Sequence, residues 1–389
     1  MSASWVMHQV MDDELTRRIG PKHARLPGRA GNWHGTTTGS VVLGRRLLAV
    51  ERPRGRSTDG EEMTLDSWAV FSSKDMLDQL RADRVLAGVA MRRHVEVSEP
   101  LSSEVEDQVK GTGRSSVSRR WERATEAALA ELMARDLSHL DVAVVLVDGI
   151  EVARQCCVAA LVITTDGTKV PVGLWLGGTE NKAVVTAWLA DLVARGLSSD
   201  AGLLVVIDGA KALAAGVAKV FGEKAVVQRC TLHKRRNVRD HLPKELGQKV
   251  DRRLALIFAN PDPAKGLGQA KALAAEVRGD HPDAAASLLE GLEDMFALRR
   301  LGVTGALAKT LTTTNCIEPM ISVARTTLRN VKHWQGGEMK KRWVAAGMAE
   351  AQRSFRRVVG YKQMPALVAA LRHHTGAPVT PDSYDQAAA

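Results

Sequence analysis

The sequence predicts an α/β protein: a mixed β-sheet flanked by helices and interrupted by an all-helical insertion. Three observations lead to this fold class. Three apolar strands follow one another between residues 140 and 178, strands then alternate with helices up to residue 230, and Ala-rich helical sequence continues from about Asn237 to Arg300. With 389 residues, 45% of them hydrophobic, the chain is long enough for two or three domains with a buried core.

Residues 1–95 form an N-terminal region of mixed composition. Arg45, Arg46 and the segment ERPRGRSTDGE (51–61) are basic and contain Gly and Pro, which predicts turns between short strands. The whole chain has a formal net charge of +10, from 54 Lys and Arg against 44 Asp and Glu. This excess favours a polyanionic partner such as nucleic acid, so we assign a DNA-binding role to the region.

Residues 96–138 are predicted to form a helix-turn-helix-like module. A tight turn at 111–113 precedes a helix for which Ser115 or Ser116 offers an N-cap. A turn followed by a helix with basic residues near its start is typical of a DNA recognition helix, although a plain surface helix with a solvated charged face is the alternative. The basic residues in its first turns are Arg119, Arg120 and Arg123.

Residues 139–238 carry the strands of the predicted sheet and form the first part of a catalytic core. Three strands come in succession, and a helix, a strand, a second helix and a last short strand follow. Their sequences are VAVVLVDGI, QCCVAALVITTDG and TKVPVGLWLGG, then KAVVTAWLADLVARGL, GLLVVIDGA, AKALAAGVAKVFG and AVVQRC. The order β-β-β-α-β-α-β, beginning with a meander, is the layout of a ribonuclease-H-like fold.

The remaining chain is predicted to be helical. Residues 239–305 read as a helical insertion into the core, and residues 306–375 return to the core with a glutamate-bearing helix and C-terminal helices. Residues 376–389 read as a flexible tail.

Two further features bear on the compartment. No apolar run approaches the ~20 residues needed to cross a bilayer. The four cysteines form neither a CxxC pair nor a disulfide framework, which fits a reducing compartment. The sequence therefore predicts a soluble protein of the cytoplasm without a membrane partner. The cysteines are Cys156, Cys157, Cys230 and Cys316.

Two of the most apolar strands end in an Asp-Gly pair, at Asp148 and at Asp208. A third pair at Asp166 lies between polar and β-branched residues and predicts a type I′ hairpin turn. Neither Asp148 nor Asp208 is followed by a second strand two residues later. We therefore interpret both as carboxylates at strand ends, the alternative being a strand-end turn and a helix N-cap.

The predicted sheet makes the first and fourth strands parallel neighbours, so Asp148 and Asp208 are expected within a few ångströms of each other. Two carboxylates that close repel, and one is pushed towards protonation. A divalent cation bound by both removes the conflict. Oxygen ligands that leave waters in place suit Mg²⁺ or Mn²⁺.

Glu318 is the third candidate ligand. It follows Asn315, an N-cap type, and precedes Pro319, which a helix tolerates only in its first turn, so a helix is expected to begin here. A carboxylate at a helix start also complements the helix dipole, which is the structural alternative. At 3.6 residues per turn, one face carries Glu318, Ser322, Arg325, Arg329 and Lys332. A carboxylate at the head of a basic stripe suits a substrate that carries phosphates.

Two aspartates and a glutamate around two divalent ions are the arrangement used for phosphodiester chemistry. The ions lie about 3.5–4 Å apart, one activating the attacking oxygen and the other stabilising the leaving oxygen. The sequence thus predicts two Mg²⁺ or Mn²⁺ ions held by Asp148, Asp208 and Glu318.

Four runs of sequence, in the same order as in the family, resemble the bacterial Mutator-type insertion-sequence transposases. The resemblance extends from about Glu51 to Leu371, nearly the whole chain. The runs are VDGIEVARQCCVAALVITTDGTKVPVGLWLGGTEN, VVIDGAKAL, VFGEKAVVQRCTLHKRRNV, and TTTNCIEPM followed by an arginine and VKHW.

The resemblance implies an Asp-Asp-Glu active site made of Asp148, Asp208 and Glu318. It also places Cys230 and His233 at the family's Cys-x-x-His element, which together with Asn315 supports the site. Two further ligands at zinc-finger spacing are missing, so two interpretations stay open. Cys230 and His233 either pack near the site as a buried Cys and a His, or bind a metal directly.

The implied activity is metal-dependent cleavage at transposon ends and joining of the freed 3′-hydroxyls to target DNA, by a homodimer or larger assembly on DNA in the nucleoid. The implied partners are the terminal inverted repeats and target DNA. Arg119, Arg120 and Arg123 are expected to contact the repeats. Arg325, Arg329 and Lys332 are expected to contact DNA near the cut. The alternatives are a non-catalytic DNA-binding protein derived from a transposase, and a nuclease or resolvase with the same triad.

Overall fold

The computed structural model describes residues 3–24, 27–43, 46–73, 114–177, 181–329, 331 and 333–378. The chain divides into two compact units, Met1–Ala124 and Thr125–Ala389. None of the helices in these described stretches is both long enough and apolar enough to span a membrane. All four cysteines are free, as their spacing predicts.

The first unit is a long β-hairpin packed against a helix. Helix α1 presents Met7, Met11, Leu15 and Ile19 to a core shared with strand residues such as Val50. These positions are four residues apart and so lie on one face of the helix. The elements are α1 (Ala3–Ile19), β1 (Gly31–Leu43), β2 (Arg46–Ser57) and α2 (Asp66–Ser73), with β1 and β2 antiparallel.

The composition of the basic segment 51–61 predicted turns between short strands, and this prediction is wrong. Most of it belongs to β2, and only 58–60 form a turn. Pro53 is tolerated because a two-stranded sheet leaves both strands with a free edge. Glu62 binds the guanidinium groups of Arg52 and Arg54 at 3.0 and 2.8 Å, which helps to hold the basic side chains in an extended segment.

Helix α3 (Arg114–Ala134) follows the part of the chain between 74 and 113 that lies outside the described residues. The turn predicted at 111–113 falls there, so the helix-turn-helix module stays a prediction. The helix already includes Ser115 and Ser116, which are therefore not its N-cap. Arg119 and Arg123 are exposed on it, and the side chain of Arg120 is not among those described.

The second unit is built on a five-stranded mixed sheet, which confirms the predicted mixed α/β architecture. The strand order is β5-β4-β3-β6-β7, with β3, β4 and β5 antiparallel and β3, β6 and β7 parallel. The strands are β3 (Val142–Val152), β4 (Gln155–Thr164), β5 (Lys169–Leu176), β6 (Leu203–Ile207) and β7 (Ala225–Arg229), and the crossover helices are α4 (Lys182–Ala194) and α5 (Lys211–Phe221).

Helices cover both faces of this sheet, which is why its central strands are continuous apolar runs. On one face Val145, Val147 and Val205 pack with α4 and α5. On the other face Leu146, Ile150 and Val206 pack with helices from the C-terminal part of the chain. Successive residues of a strand thus face different helices, as the two-residue period of a strand requires.

The chain after β7 is helical, as predicted. Helices α6 to α9 share a core of their own with residues such as Leu254, Leu273 and Phe296. The backbone N–H of Thr231 donates to the carbonyl of Thr312 at 2.9 Å, so the two ends of this insertion meet. Its helices are α6 (Thr231–Asp240), α7 (Lys244–Ala259), α8 (Pro263–Arg278) and α9 (Pro282–Leu289). The later ones are α10 (Ala297–Arg300), α11 (Gly305–Leu311), α12 (Glu318–Leu328), α13 (Gly336–Gln352) and α14 (Met364–Thr375).

A buried polar cluster, which we call the insertion joint, fastens the insertion to β7 and α6. Arg229, with 7% of its side chain exposed, binds Glu290 at 2.7 Å and Asp294 at 3.2 Å. Lys234 donates to the carbonyls of Ser287 and Glu290, both at 2.6 Å. Burial lowers the pKa of Lys234, and the carboxylate of Glu290 acts against that shift.

Candidate active site

The pairing of β3 with β6 sets the two aspartates beside each other. Val144 pairs with Leu204, and Leu146 with Val206, so paired residues are always sixty apart. Continued by two residues, the same register places Asp148 opposite Asp208, which directly follows β6. This register confirms the prediction that the two strands are parallel neighbours. The predicted closeness of the two carboxylates follows from the same register.

Strand alternation sends the Asp148 side chain to the face covered by the C-terminal helices. Leu146, Ile150 and Val152 occupy the alternate positions of β3 and pack in the same core as Ile317 and Ile321 of the chain around α12. Asp148 shares their parity and hence their face. The helix that carries Glu318 therefore covers the side of the sheet to which this carboxylate points.

Asp148 lies within its strand and not at the strand end that the sequence suggested. It pairs with Ala159 of β4, and β3 continues to Val152. The hairpin turns only at Ala153 and Arg154, which have φ values of 44° and 63°. Two central residues with positive φ are the geometry of a type I′ turn, but neither residue is the Asn, Asp or Gly that usually signals it.

The Asp166 turn is confirmed, but its type is not the one expected. The carboxylate of Asp166 accepts from the N–H and the hydroxyl of Thr168 at 3.1 and 2.8 Å, and from the hydroxyl of Thr164. Gly167 has a φ of 87°, whereas Asp166 does not have positive φ. Side-chain hydrogen bonds therefore close the turn between β4 and β5 without the type I′ backbone.

Asp148 is a buried carboxylate, with 8% of the residue exposed. Burial raises its pKa, and the neighbouring charge of Asp208 raises it further. The backbone N–H of Gly149, at 2.8 Å, His233 and the Thr314 hydroxyl lower the pKa but do not cancel the effect of burial. No Lys or Arg of the described chain forms an ion pair with either aspartate, so their charges lack a cationic partner of that kind.

Asp208 also has a local structural role. Its carboxylate accepts from the backbone N–H of Ala210 at 2.9 Å, just before α5 begins at Lys211. Gly209 between them has a φ of 113°, a conformation that an L side chain rarely adopts. Asp208 therefore does act as a turn residue at a helix start, as the alternative interpretation predicted. Its other carboxylate oxygen does not take part in the hydrogen bond to Ala210.

Cys230 and His233 lie beside the aspartates. The N–H of Cys230 donates to Ile207, the residue before Asp208, at 2.7 Å. Hydrogen bonding with Cys230 raises the pKa of His233 against the effect of burial, and Asp148 and Asp208 raise it further. Burial raises the pKa of the Cys230 thiol, but hydrogen bonds with His233 and Thr314 outweigh burial and lower it.

Thr314 connects these groups. It is 2% exposed, and its N–H and hydroxyl donate to the Cys230 sulfur at 3.4 and 3.6 Å. The same hydroxyl lies close enough to Asp148 to lower the pKa of that carboxyl. Its only sequence signal is the run of three threonines before the glutamate, because contacts across the sheet leave no local pattern.

Glu318 is the first residue of α12, as Pro319 predicted, and it is exposed. The short helical turn Thr314–Cys316 before it contacts β3. Within the described residues, no three His, Cys, Asp or Glu side chains come close enough to hold a metal ion together. Asp148, Asp208, Cys230 and His233 are near enough to shift each other's pKa but are not arranged to hold one ion together, and Glu318 is not among the groups that shift the pKa of Asp148 or His233. Asn315 is exposed near the start of this turn.

The helix that carries the predicted basic stripe ends before the last two members of the stripe. Ser322 and Arg325 are exposed on it, the helix ends at Leu328, and Arg329 follows as an exposed residue. Lys332 lies outside the described residues. The stripe borders an open pocket of about 410 Å³ whose wall also includes Glu151 and Trp334.

Comparisons with known proteins agree with these motifs. The family model described as "Transposase, Mutator family" matches residues 2–358. The transposase for insertion sequence element ISRM5 of Rhizobium meliloti (strain 1021) is 25% identical over 272 residues, covering 69% of this chain and 65% of the relative. The transposase for insertion sequence element IST2 of Acidithiobacillus ferrooxidans is 29% identical over 212 residues, 49% of this chain and 67% of the relative.

The transposase for insertion sequence element ISRM3 of Rhizobium meliloti is 27% identical over 191 residues, 48% of this chain and 46% of the relative. The chain thus spans between about half and two thirds of the length of these relatives. The family model, in contrast, covers nearly the whole chain. The chain belongs to the Mutator family of transposases.

Proposed function

We propose that this chain is a DNA transposase of the Asp-Asp-Glu type. It binds the terminal inverted repeats of an insertion sequence, cleaves DNA at the element's ends and joins the freed 3′-hydroxyls to target DNA, as a dimer or larger assembly. The observation that carries the proposal is the register of β3 and β6, which sets Asp148 opposite Asp208. The strand order, with helices on both faces, supports a ribonuclease-H-like core.

The donor set fits divalent cations at the two aspartates. Asp148 and Asp208 are hard oxygen ligands on adjacent strands, and burial and mutual repulsion raise the pKa of Asp148, which a cation would relieve. When bound, two Mg²⁺ or Mn²⁺ ions supply activation of the attacking oxygen and stabilisation of the leaving oxygen. Nδ1 of His233 is buried without a suitably placed hydrogen-bond partner in the described chain, which leaves direct ligation by this residue open.

Glu318 completes the ligand set in the DNA-bound form. It comes four residues after Thr314, whose hydroxyl lies beside Asp148. Four helical residues span only about 6–8 Å, so a small movement of this helix start brings Glu318 to the aspartates. Cys230, His233 and Asn315 support the site, and Cys230 with Thr314 ties the start of α6 to the chain before α12.

Two sets of basic residues bind the DNA. Arg325 and Arg329, with Lys332, contact phosphates near the cut, because they follow Glu318 along the same stripe. Arg119, Arg120 and Arg123 of α3 contact the terminal repeat. Phosphate contacts fix the position of the DNA strand, and their strength depends on salt.

A nicking assay on a labelled terminal-repeat duplex with Mg²⁺ tests the catalytic assignment. Asp148→Asn, Asp208→Asn and Glu318→Gln are each expected to slow nicking at least about a thousandfold, because each removes a ligand worth several kcal/mol in the transition state. Asp166→Asn is the matched control: it alters the third Asp-Gly pair and is expected to nick within about threefold of the wild-type rate.

Nicking by the Asp208→Asn variant at the wild-type rate would refute the assignment. If the wild-type chain binds the repeat specifically but cuts no strand with Mg²⁺ or Mn²⁺, the alternative holds: a non-catalytic DNA-binding protein derived from a transposase.

A further inference from the structure

The open pocket at the far end of β3 has the composition of a site for one nucleotide. It lies between the end of β3 and the last turns of α12, and we call it the tip pocket. Its volume of about 410 Å³ is at the small end of the usual range for ligand sites, about 300–1,000 Å³. The residues that matter to the inference are Glu151, Ser322, Arg325, Arg329 and Trp334.

The walls of the tip pocket differ in chemistry. Arg325 is exposed in its wall and forms no ion pair with a described carboxylate, and the hydroxyl of Ser322 lies one helical turn before it. Trp334 offers an aromatic surface and is partly buried against the core, so its ring is held in place. Glu151 adds a carboxylate on the strand side, which repels phosphate and accepts hydrogen bonds from amino groups.

The β3 wall of the pocket is held from behind by a buried lysine. Lys340 of α13 is 8% exposed and donates to the carbonyl of Ala153 at 3.3 Å and to the side chain of Gln155 at 2.8 Å. These bonds clamp both sides of the turn formed by Ala153 and Arg154. The wall is therefore preorganised, which lowers the ordering cost of binding.

The tip pocket lies within reach of a DNA strand that is bound at the aspartates. Val152 in its wall is four residues beyond Asp148, which along a strand is about 13 Å. Duplex DNA rises about 3.4 Å per nucleotide of one strand. A strand that runs along β3 from a scissile phosphate at Asp148 would reach the pocket about four nucleotides from the cut.

We propose that the tip pocket holds a single unpaired nucleotide of the DNA end, with its base stacked on Trp334 and its phosphate bound by Arg325. The proposal rests on the proposed transposase function and adds a subsite to it. A pocket of this size and openness admits one base and not a stacked base pair. Stacking on an aromatic side chain offsets the loss of pairing, since the two contributions are of similar size. Glu151 faces the edge of the base.

Abasic scanning tests the subsite without cleavage. The full chain carrying Asp208→Ala is bound to terminal-repeat duplexes in which one base at a time, from the cut to about eight nucleotides on either side, is replaced by an abasic site. Trp334→Ala is expected to weaken binding of the intact duplex by about five- to 150-fold. On the one duplex that lacks the unpaired base, the same substitution is expected to change binding less than twofold.

Two further variants keep the result interpretable. Trp334→Phe retains an aromatic surface and is expected to bind the intact duplex within about fivefold of the parent protein. Tyr361→Ala removes an aromatic side chain that packs near the Gly167 turn, away from this pocket, and is expected to weaken all duplexes equally or not at all. Any general loss of folding also affects every duplex equally, so only the position-dependent difference counts.

The outcomes separate the subsite from the proposed function. If the Trp334→Ala defect is the same on every abasic duplex, the pocket contacts the phosphates of intact duplex only, and the proposal of an unpaired nucleotide is wrong. If the wild-type chain neither binds nor nicks the terminal repeat, the proposed function itself fails. If the wild-type chain nicks normally but the effect of Trp334→Ala does not depend on the position of the abasic site, only the proposed subsite is wrong and the proposed transposase function is not affected.

Discussion

Asp148 shows how one residue can favour function at the expense of the stability of the ligand-free protein. The carboxylate is almost fully buried on the α12 side of the sheet, among residues such as Ile150 and Val152. Burial raises its pKa because the charged form loses hydration. Ionisation of Asp148 in the folded protein therefore costs free energy, which a bound cation would relieve.

The sign of this effect gives a prediction for Asp148→Asn. Because the folded-state pKa is raised, the stability associated with the protonated Asp148 is fully present below the unfolded value near 3.8 and is lost as the pH rises through the folded value. The variant should therefore unfold at a higher temperature than the wild type at pH 7 without metal. Its advantage should shrink as the pH falls and disappear below about pH 3.8, as thermal melts across this range can show.

Asp166→Asn is the control with the opposite sign. A hydrogen bond from Thr164 lowers the pKa of Asp166, so this group stabilises the fold above its unfolded pKa and loses that effect as the pH falls through the folded value. This variant should melt below the wild type at pH 7. A lower melting temperature for Asp148→Asn at pH 7 would show that its carboxylate is not held in an unfavourable charged state.

At the scale of elements, the insertion joint predicts a large asymmetry between two arginines. Arg229 is buried between Glu290 and Asp294, whereas Arg253 on α7 binds Glu276 at 2.6 Å with about half of both side chains exposed. Removing one partner of a fully buried ion pair costs about 3–5 kcal/mol, and the lower end of that range applies to Arg229 because Glu290 and Asp294 are each about one third exposed. Removing a partner of an exposed pair costs about 0–1 kcal/mol.

We therefore expect Arg229→Ala to lower the free energy of unfolding by about 3 kcal/mol and Arg253→Ala by less than about 1 kcal/mol. Urea unfolding, with the midpoint and slope fitted separately, measures both. Equal losses for the two variants would mean that the insertion joint is hydrated and does not fasten the insertion to β7.

The elements that could be predicted from the sequence are those with a dominant local signal. β3 and β6 are apolar runs because helices cover both faces, and α12 begins at Glu318 because Pro319 requires it. The turn at Ala153 and Arg154 could not be predicted, since neither residue favours positive φ. That turn holds because β3 and β4 pair along their whole length and Lys340 binds its carbonyl.

The candidate site also has some residues whose arrangement could be predicted from the sequence and others whose arrangement could not. Asp148 and Asp208 could be paired from their parallel strands. Thr314 and the insertion joint depend on contacts between residues more than fifty positions apart, and such contacts leave no periodic pattern. The position of Glu318 relative to the aspartates could not be predicted, because it depends on how the start of α12 rests on β3.

At the scale of the whole molecule, the net charge of +10 predicts DNA binding that weakens steeply with salt. Each phosphate contact adds about 0.9 to the slope of log affinity against log salt. Arg325→Ala should reduce that slope by about one, whereas Arg253→Ala should leave it unchanged because Arg253 already pairs with Glu276. Binding titrations of the terminal-repeat duplex across a range of salt concentrations measure both slopes, and an unchanged slope for Arg325→Ala would remove this residue from the DNA contacts.

The hydrogen bond between Thr231 and Thr312 has a consequence for how such proteins diverge. The chain leaves the core after β7 and returns at almost the same point, so the part of the insertion beyond α6 can lengthen or shrink without moving Asp208, His233 or Thr314. The number of residues between the second aspartate and the glutamate is therefore a poor guide to distant relatives, and the residues that meet at the two ends of the segment are a better one.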